Sequence, residues 1–125
     1  MKKVICAPGA PAALGPYSQA IQTGNLVFTS GQIGIDPPTG KLSETIEEQT
    51  RQALINLEQV LLSAGCTLAD VVKATVFLQD FSDFATVNAI YGETFEGSFP
   101  ARSCIQVSKL PAGALVEIEA VAAKN

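Results

Sequence analysis

The chain has 125 residues, the length of one domain, and we predict a single domain over residues 1–125. Apolar residues make up 47% of it and charged residues only 16%, where soluble domains typically carry about 25%. Because so few charges cannot coat a small monomer, we expect part of the apolar surface to be buried between copies of the chain. The net charge of −4 argues against binding to a nucleic-acid backbone.

A β-hairpin is predicted near the start of the chain. Residues 17–22 and 26–30 are rich in β-branched, aromatic or alternating residues, and Gly24-Asn25 between them is a typical turn. Residues 3–6 could add a short strand. Two prolines and a glycine within residues 36–40 then predict a loop that interrupts the sheet.

A helix is predicted over residues 43–64. Thr45 and Glu48 can form a capping box at its start, and Gly65 supplies a left-handed stop. One stripe of apolar residues recurs at helical spacing: Ile46, Ala53, Leu54, Leu57, Val60, Leu61 and Ala64.

The second half of the chain predicts a strand, a helix and two more strands. Val71–Leu78 is nearly continuous in β-branched and apolar residues, as in a central strand. Residues 80–83 offer helix caps, and residues 101–107 and 115–122 read as strands. The apolar face of the second helix would carry Phe84, Val87, Tyr91 and Phe95.

This order of elements predicts an α+β fold. Crossover helices imply some parallel pairing and hairpins imply antiparallel pairing, so we expect a mixed sheet with two helices packed on one face. The other face would need a cover. Further copies of the same sheet are the simplest cover, which agrees with the oligomer expected from the composition.

Histidine is absent, and the three cysteines, Cys6, Cys66 and Cys104, are far apart. We therefore expect reduced thiols without a metal site, and Ser-His or Cys-His nucleophiles are excluded. No apolar run reaches the roughly 20 residues that span a bilayer, and the apolar start is too short for a signal peptide. We expect a cytoplasmic protein.

Two strands near the end of the chain carry groups that could act on a substrate. Alternation places Arg102 and Cys104 on one face of the first strand, and Glu117 and Glu119 on one face of the second. A guanidinium can bind a carboxylate through two hydrogen bonds, and an ionised Glu can polarise a water. The simpler interpretation is a cross-strand ion pair of Arg102 with one of the glutamates.

Other residue types in these patterns have simpler structural explanations. Cys104 has no base to activate it and reads as a small buried apolar side chain. Tyr17 is explained as a strand aromatic, and a turn explains Ser30-Gly31 as well as a ligand-binding backbone N–H does. Asn88 lies on the apolar stripe of the second helix, where a buried amide must find partners.

Six segments in order resemble the RidA (YjgF-type) family of enamine/imine deaminases. They are residues 10–19 (APAALGPYSQ), 29–33 (TSGQI), 72–77 (VKATVF), 83–88 (DFATVN), 99–104 (FPARSC) and 115–120 (LVEIEA). The resemblance covers essentially the whole chain. It implies a homotrimer of chorismate-mutase-like subunits, with ligand clefts between neighbours and with neither a metal nor an organic cofactor.

The resemblance also implies an activity and roles for particular residues. The activity is hydrolysis of 2-aminoacrylate, 2-aminocrotonate and their imine forms, which pyridoxal-phosphate enzymes release, to 2-keto acids and ammonia. Arg102 resembles the family's carboxylate-binding arginine, and Glu117 the acid that activates water. The cleft-lining positions correspond to Tyr17, Ser30, Gly31, Asn88 and the backbone of Cys104.

Two other functions remain open at this stage. A trimeric protein that binds small metabolites without turnover could keep the same fold and cleft. A ribonuclease or translation inhibitor is a third hypothesis, against which the acidic charge and the missing histidine both count.

Overall fold

A computed structural model describes all 125 residues. Its main elements are β1 Lys2–Ile5, β2 Ala20–Thr23, β3 Leu26–Thr29, β4 Ile35–Asp36, β5 Lys41–Leu42, α1 Ile46–Ser63, β6 Val71–Leu78, α2 Phe84–Thr94, β7 Ala101–Gln106 and β8 Val116–Ala123. Six strands form one sheet in the order β1-β2-β3-β8-β6-β7, and β4 pairs with β5 separately.

The sheet is mixed. Strands β6 and β7 run parallel and are connected through α2, while every other neighbouring pair is antiparallel. Both helices cover the same face of the sheet. The predicted α+β class, with a mixed sheet and two helices on one face, is confirmed.

Local signals placed most elements correctly. Gly24 adopts a left-handed φ of 59° in the turn between β2 and β3, and Gly65, at 79°, follows the end of α1. Thr45 and Glu48 form both hydrogen bonds of the capping box. The predicted loop at residues 36–40 joins β4 and β5, two-residue strands too short to show a periodicity.

Two elements begin three residues later than predicted, while the other predicted bounds differ by about one residue. The predicted strand at residues 17–22 begins only at Ala20. Tyr17 instead belongs to a turn in which its N–H donates to the Gly15 carbonyl over 2.8 Å. The first helix begins at Ile46 rather than residue 43, because the Ser43 N–H donates to the Gly34 carbonyl.

The core lies between the sheet and the two helices, with 24 buried residues in one cluster. Three buried amides tie irregular segments to it. Gln19 bonds the backbone of residues 7 and 11, Gln49 the backbone of residues 43 and 115, and Asn56 the carbonyls of residues 33 and 35. Because each amide has its hydrogen-bond partners, these loops are held in place.

Neither helix combines the length and the apolar character needed to cross a bilayer.

The face of the sheet opposite the helices is open. Large apolar side chains on it are partly exposed: Val4 is 53% exposed, Phe28 44% and Ile105 47%. By strand register, Glu117 and Glu119 share this face with Phe77 and Thr75, their respective partners on β6.

Candidate active site

A cavity of about 730 Å³ opens beside the start of β8. Its wall includes Tyr17, Ser30, Gly31 and Glu117, four of the residues singled out from the sequence. Glu119 lines it as well. The volume lies in the range of small-molecule sites, and the carboxylates give its wall an acidic side.

Backbone hydrogen bonds hold the segment that carries Ser30 and Gly31. The Ser30 N–H donates to the Gln19 carbonyl over 2.9 Å, and its hydroxyl donates to the Ser18 carbonyl over 2.6 Å. Gln32 and Ile118 exchange two backbone hydrogen bonds of 2.8 and 2.9 Å. The segment is therefore fixed from both sides against β8, with Gly31 next to Glu117.

Residue 31 must be glycine because a side chain would collide with Glu117, and not because of its backbone conformation. A Cβ at this position would lie 2.6 Å from Cδ and 2.8 Å from Oε2 of Glu117, while the φ of Gly31 is outside the left-handed region. The Glu117 carboxyl thus packs directly over the backbone of Gly31. The glycine brings a carboxyl and a peptide group together at the cavity wall.

Glu117 has the electrostatic features of a general base. Burial raises the pKa of its carboxyl above the ordinary value, and the neighbouring Glu119 carboxylate raises this pKa further. Its side chain makes no hydrogen bond and no salt bridge within the chain. A carboxylate with free lone pairs and a raised pKa, at a cavity wall, can accept a proton from a water.

Arg102 lies elsewhere, on the edge strand β7, and faces α2. Its Nη1 donates to Oδ1 of Asn88 over 2.7 Å. Its guanidinium carbon lies 4.8 Å from the centre of the Tyr91 ring and 5.7 Å from that of Phe84. The partner that the sequence analysis required for the Asn88 amide is therefore the Arg102 guanidinium.

The cross-strand ion pair considered from the sequence is wrong. Strand β6 lies between β7 and β8, and Arg102 is in register with Ala74, whose side chain points to the covered face. Glu117 and Glu119 point to the open face. The chain's one salt bridge joins Arg51 and Glu93, both exposed.

Cys104 lies on β7 near Arg102, whereas Tyr17 lies on the wall of the Glu117 cavity. Cys104 is partly buried two residues along β7 from Arg102, and burial raises its pKa while the Arg102 charge partly lowers it. A thiol held in the protonated form is a poor nucleophile. Tyr17 is 53% exposed on the cavity wall, and its hydroxyl oxygen accepts the Leu14 N–H over 3.4 Å. No group of three or more Cys, Asp or Glu residues is placed to hold a metal ion.

Two residues around Arg102 were missed by the sequence reasoning. Phe84 and Tyr91 were assigned to the apolar face of the second helix as core residues, yet their rings also flank the guanidinium. The available signal was the spacing of Phe84, Asn88 and Tyr91, which places all three on one side of a helix.

Comparisons with known proteins agree with this architecture. The model of the family described as endoribonuclease L-PSP matches residues 8–124. A RutC family protein of Pyrococcus horikoshii is 51% identical over 126 residues, which cover 100% of both chains. A 2-iminobutanoate/2-iminopropanoate deaminase of Mus musculus is 50% identical over 126 residues, covering 100% of this chain and 93% of that one.

A solved structure extends the likeness to three dimensions. The crystal structure of Escherichia coli TdcF with bound serine superimposes with a TM-score of 0.95 at 41% identity, covering 98% of this chain and 99% of that one. Fold, length and sequence therefore agree along the whole chain: it belongs to the RidA (YjgF-type) family, whose family model is the one described as endoribonuclease L-PSP.

Proposed function

We propose that this protein hydrolyses 2-imino acids and their enamine tautomers, such as 2-aminocrotonate and 2-aminoacrylate, to 2-keto acids and ammonia. The relative from Mus musculus bears the name of this activity at 50% identity. The observation that carries the proposal is the Glu117 carboxyl, which lies without a hydrogen-bond partner on a cavity wall and has a raised pKa. We place the reaction in the cytoplasm, where pyridoxal-phosphate enzymes release such imines.

The complete site requires two copies of the chain in this proposal. Arg102 and Glu117 lie on opposite faces of one sheet, so one chain cannot direct both at the same small substrate. Three copies packed through their open faces would cover the exposed Phe28 and Ile105. Such a homotrimer would bring the Arg102 edge of one copy to the Glu117 cavity of the next.

Arg102 acts as the carboxylate clamp. Asn88 occupies one N–H of its Nη1, and the other donors of the guanidinium are free to bind the substrate carboxylate with two parallel hydrogen bonds. Tyr17, Ser30 and Gly31 from the adjoining copy, with the backbone of Cys104, shape the surroundings of the imine. This arrangement places C2 of the substrate over Glu117.

Glu117 then activates the attacking water. It accepts a proton as the water oxygen bonds to C2 of the protonated imine, which gives a carbinolamine. Glu117 passes this proton to the nitrogen of the carbinolamine and then accepts the proton of the new hydroxyl group as the C=O bond forms, the C–N bond breaks and ammonia leaves. Because the C=N bond is already electrophilic, the positioning of water and charge suffices, without a covalent intermediate.

Mixing two inactive variants tests both the roles and the shared site. Arg102→Ala and Glu117→Gln should each abolish keto-acid formation in a coupled threonine dehydratase assay, while analytical ultracentrifugation shows an unchanged trimer. Random mixed trimers of the two should recover about one quarter of wild-type activity, because that fraction of clefts pairs an intact Arg102 with an intact Glu117. Full activity in either variant would overturn its assigned role, and no recovery on mixing would refute the shared cleft.

The two competing functions predict different products. A metabolite-binding protein is favoured by the serine bound to TdcF, and it would capture small carboxylates without releasing ammonia from fresh 2-aminocrotonate. A ribonuclease is suggested by the description of the family model, but the net charge of −4 disfavours RNA binding. RNA cleavage that survives repeated purification and disappears in Arg102→Ala would favour the ribonuclease.

A further inference from the structure

The Arg102 guanidinium lies within a row of aromatic rings carried by α2, the turn before it and the residue that follows it. Phe81 and Phe84 stack with their centres 4.7 Å apart at 14°, and Tyr91 and Phe95 pack at 4.6 Å and 38°. Between these two pairs lies the guanidinium, 5.7 Å from Phe84 and 4.8 Å from Tyr91. We call these four rings the aromatic row.

We propose that Tyr91 is a positioning residue that sets the plane of the Arg102 guanidinium through the face of its ring. The inference rests on the proposed role of Arg102 as the carboxylate clamp. Two parallel hydrogen bonds to a carboxylate require both donors to lie in the carboxylate plane. An arginine side chain on an edge strand has several free rotations, so its fork must be oriented before the substrate arrives.

Asn88 and Tyr91 restrict different motions of this side chain. The 2.7 Å hydrogen bond to Asn88 fixes the direction of Nη1 but still permits the guanidinium to turn about that bond. The ring of Tyr91 attracts the cation over its face and opposes this rotation. Together the Asn88 hydrogen bond and the Tyr91 ring restrict the guanidinium plane to one orientation.

The ring of Tyr91, rather than its hydroxyl, carries this role. Tyr91 is only 4% exposed, and its hydroxyl has no hydrogen-bond partner in the chain. Burial raises the pKa of the phenol above its ordinary value, so the group stays protonated and is no base at neutral pH. Phenylalanine should therefore replace Tyr91 in this function, whereas an aliphatic side chain should not.

The test compares Tyr91→Leu with Tyr91→Phe and with Phe95→Leu, in the assembled protein. Phe95 is buried in the same row, but its ring packs on Tyr91 and not on Arg102. Phe95→Leu therefore reproduces the packing defect of Tyr91→Leu without removing a ring from the guanidinium. Two kinds of measurement are made. Steady-state kinetics give the KM and kcat for 2-aminocrotonate, and the ¹⁵N relaxation of the Arg102 Nε–H group reports the order of the side chain.

We expect Tyr91→Leu to raise KM about fivefold to tenfold, with a smaller change in kcat, and to lower the order of the Arg102 Nε–H group. Tyr91→Phe and Phe95→Leu should match the wild type in both the kinetics and the order of the Arg102 Nε–H group. Unchanged Arg102 order in Tyr91→Leu, or an equal loss in Phe95→Leu, would refute the positioning role. Should Tyr91→Leu fail to fold, Tyr91→Met offers a flexible, unbranched side chain that can fill an irregular gap without an aromatic face.

The relaxation measurement separates this inference from the proposed function. If the wild type releases no ammonia but Arg102 loses order in Tyr91→Leu, the positioning role stands and the deaminase assignment fails. If the wild type hydrolyses imines and Arg102 keeps its order in Tyr91→Leu, only the positioning role fails.

Discussion

Adding a single methyl group at Gly31 should displace the Glu117 carboxyl and lower activity while leaving the stability of the fold nearly unchanged. In Gly31→Ala the new Cβ would lie 2.6 Å from Cδ of Glu117, where ordinary contact begins at 3.4 Å. The carboxyl must therefore withdraw by about 0.8 Å, the difference between these distances. A misplacement of about 1 Å can reduce catalysis about 100-fold, and we expect a loss of kcat/KM of roughly that size.

The fold should tolerate the same change. The clash involves the end of a flexible side chain, and the φ of Gly31 is one that alanine adopts freely. We expect the free energy of unfolding to stay within about 1 kcal/mol of the wild-type value. The assay is kcat/KM for 2-aminocrotonate generated by threonine dehydratase, with urea unfolding of the same preparations at one protein concentration.

Gly92→Ala is the matched control. Gly92 lies within α2, and a Cβ there would meet nothing within 4 Å. This variant should keep its activity and gain up to about 1 kcal/mol in stability from helix propensity. A folded Gly31→Ala variant with wild-type kcat/KM would show that the carboxyl need not lie against residue 31, and would refute the link between Gly31 and catalysis.

Three further predictions concern stability, each measured by chemical unfolding at fixed protein concentration. Glu117→Gln should stabilise the protein at neutral pH, because a raised pKa means that ionising this carboxyl disfavours the folded state. Below the ordinary glutamate pKa the carboxyl is protonated in both states, so the gain should vanish. An equal gain at neutral and at acidic pH would contradict the raised pKa of Glu117. Gly34→Ala places a Cβ 2.5 Å from the backbone Cα of Gln49, which cannot move independently of α1, so we expect a loss of about 1–3 kcal/mol, and wild-type stability would contradict this contact. Thr45→Ala removes the cap of α1 and should lower stability by about 1 kcal/mol; no loss would mean that the capping box contributes nothing in the folded protein.

Interactions close in sequence explain what could be predicted of the fold. The turn at Gly24-Asn25, the capping box of Thr45 and Glu48, and the apolar continuity of Val71–Leu78 each depend on neighbouring residues.

The candidate site residues came mainly from the resemblance to the family. Ser30 and Gly31 looked like an ordinary turn, and only the bridge between Gln32 and Ile118 shows why that turn lies against Glu117.

The sequence by itself determined the longer elements, the class of fold and which side chains share a face within each strand, because periodicity, caps and turns act over a few residues. Only the tertiary structure decided how the strands are ordered and which way each one faces. Insertion of β6 between β7 and β8 places Arg102 and Glu117 on opposite sides of the sheet. Strand order depends on contacts between residues far apart in the chain, which no local pattern encodes.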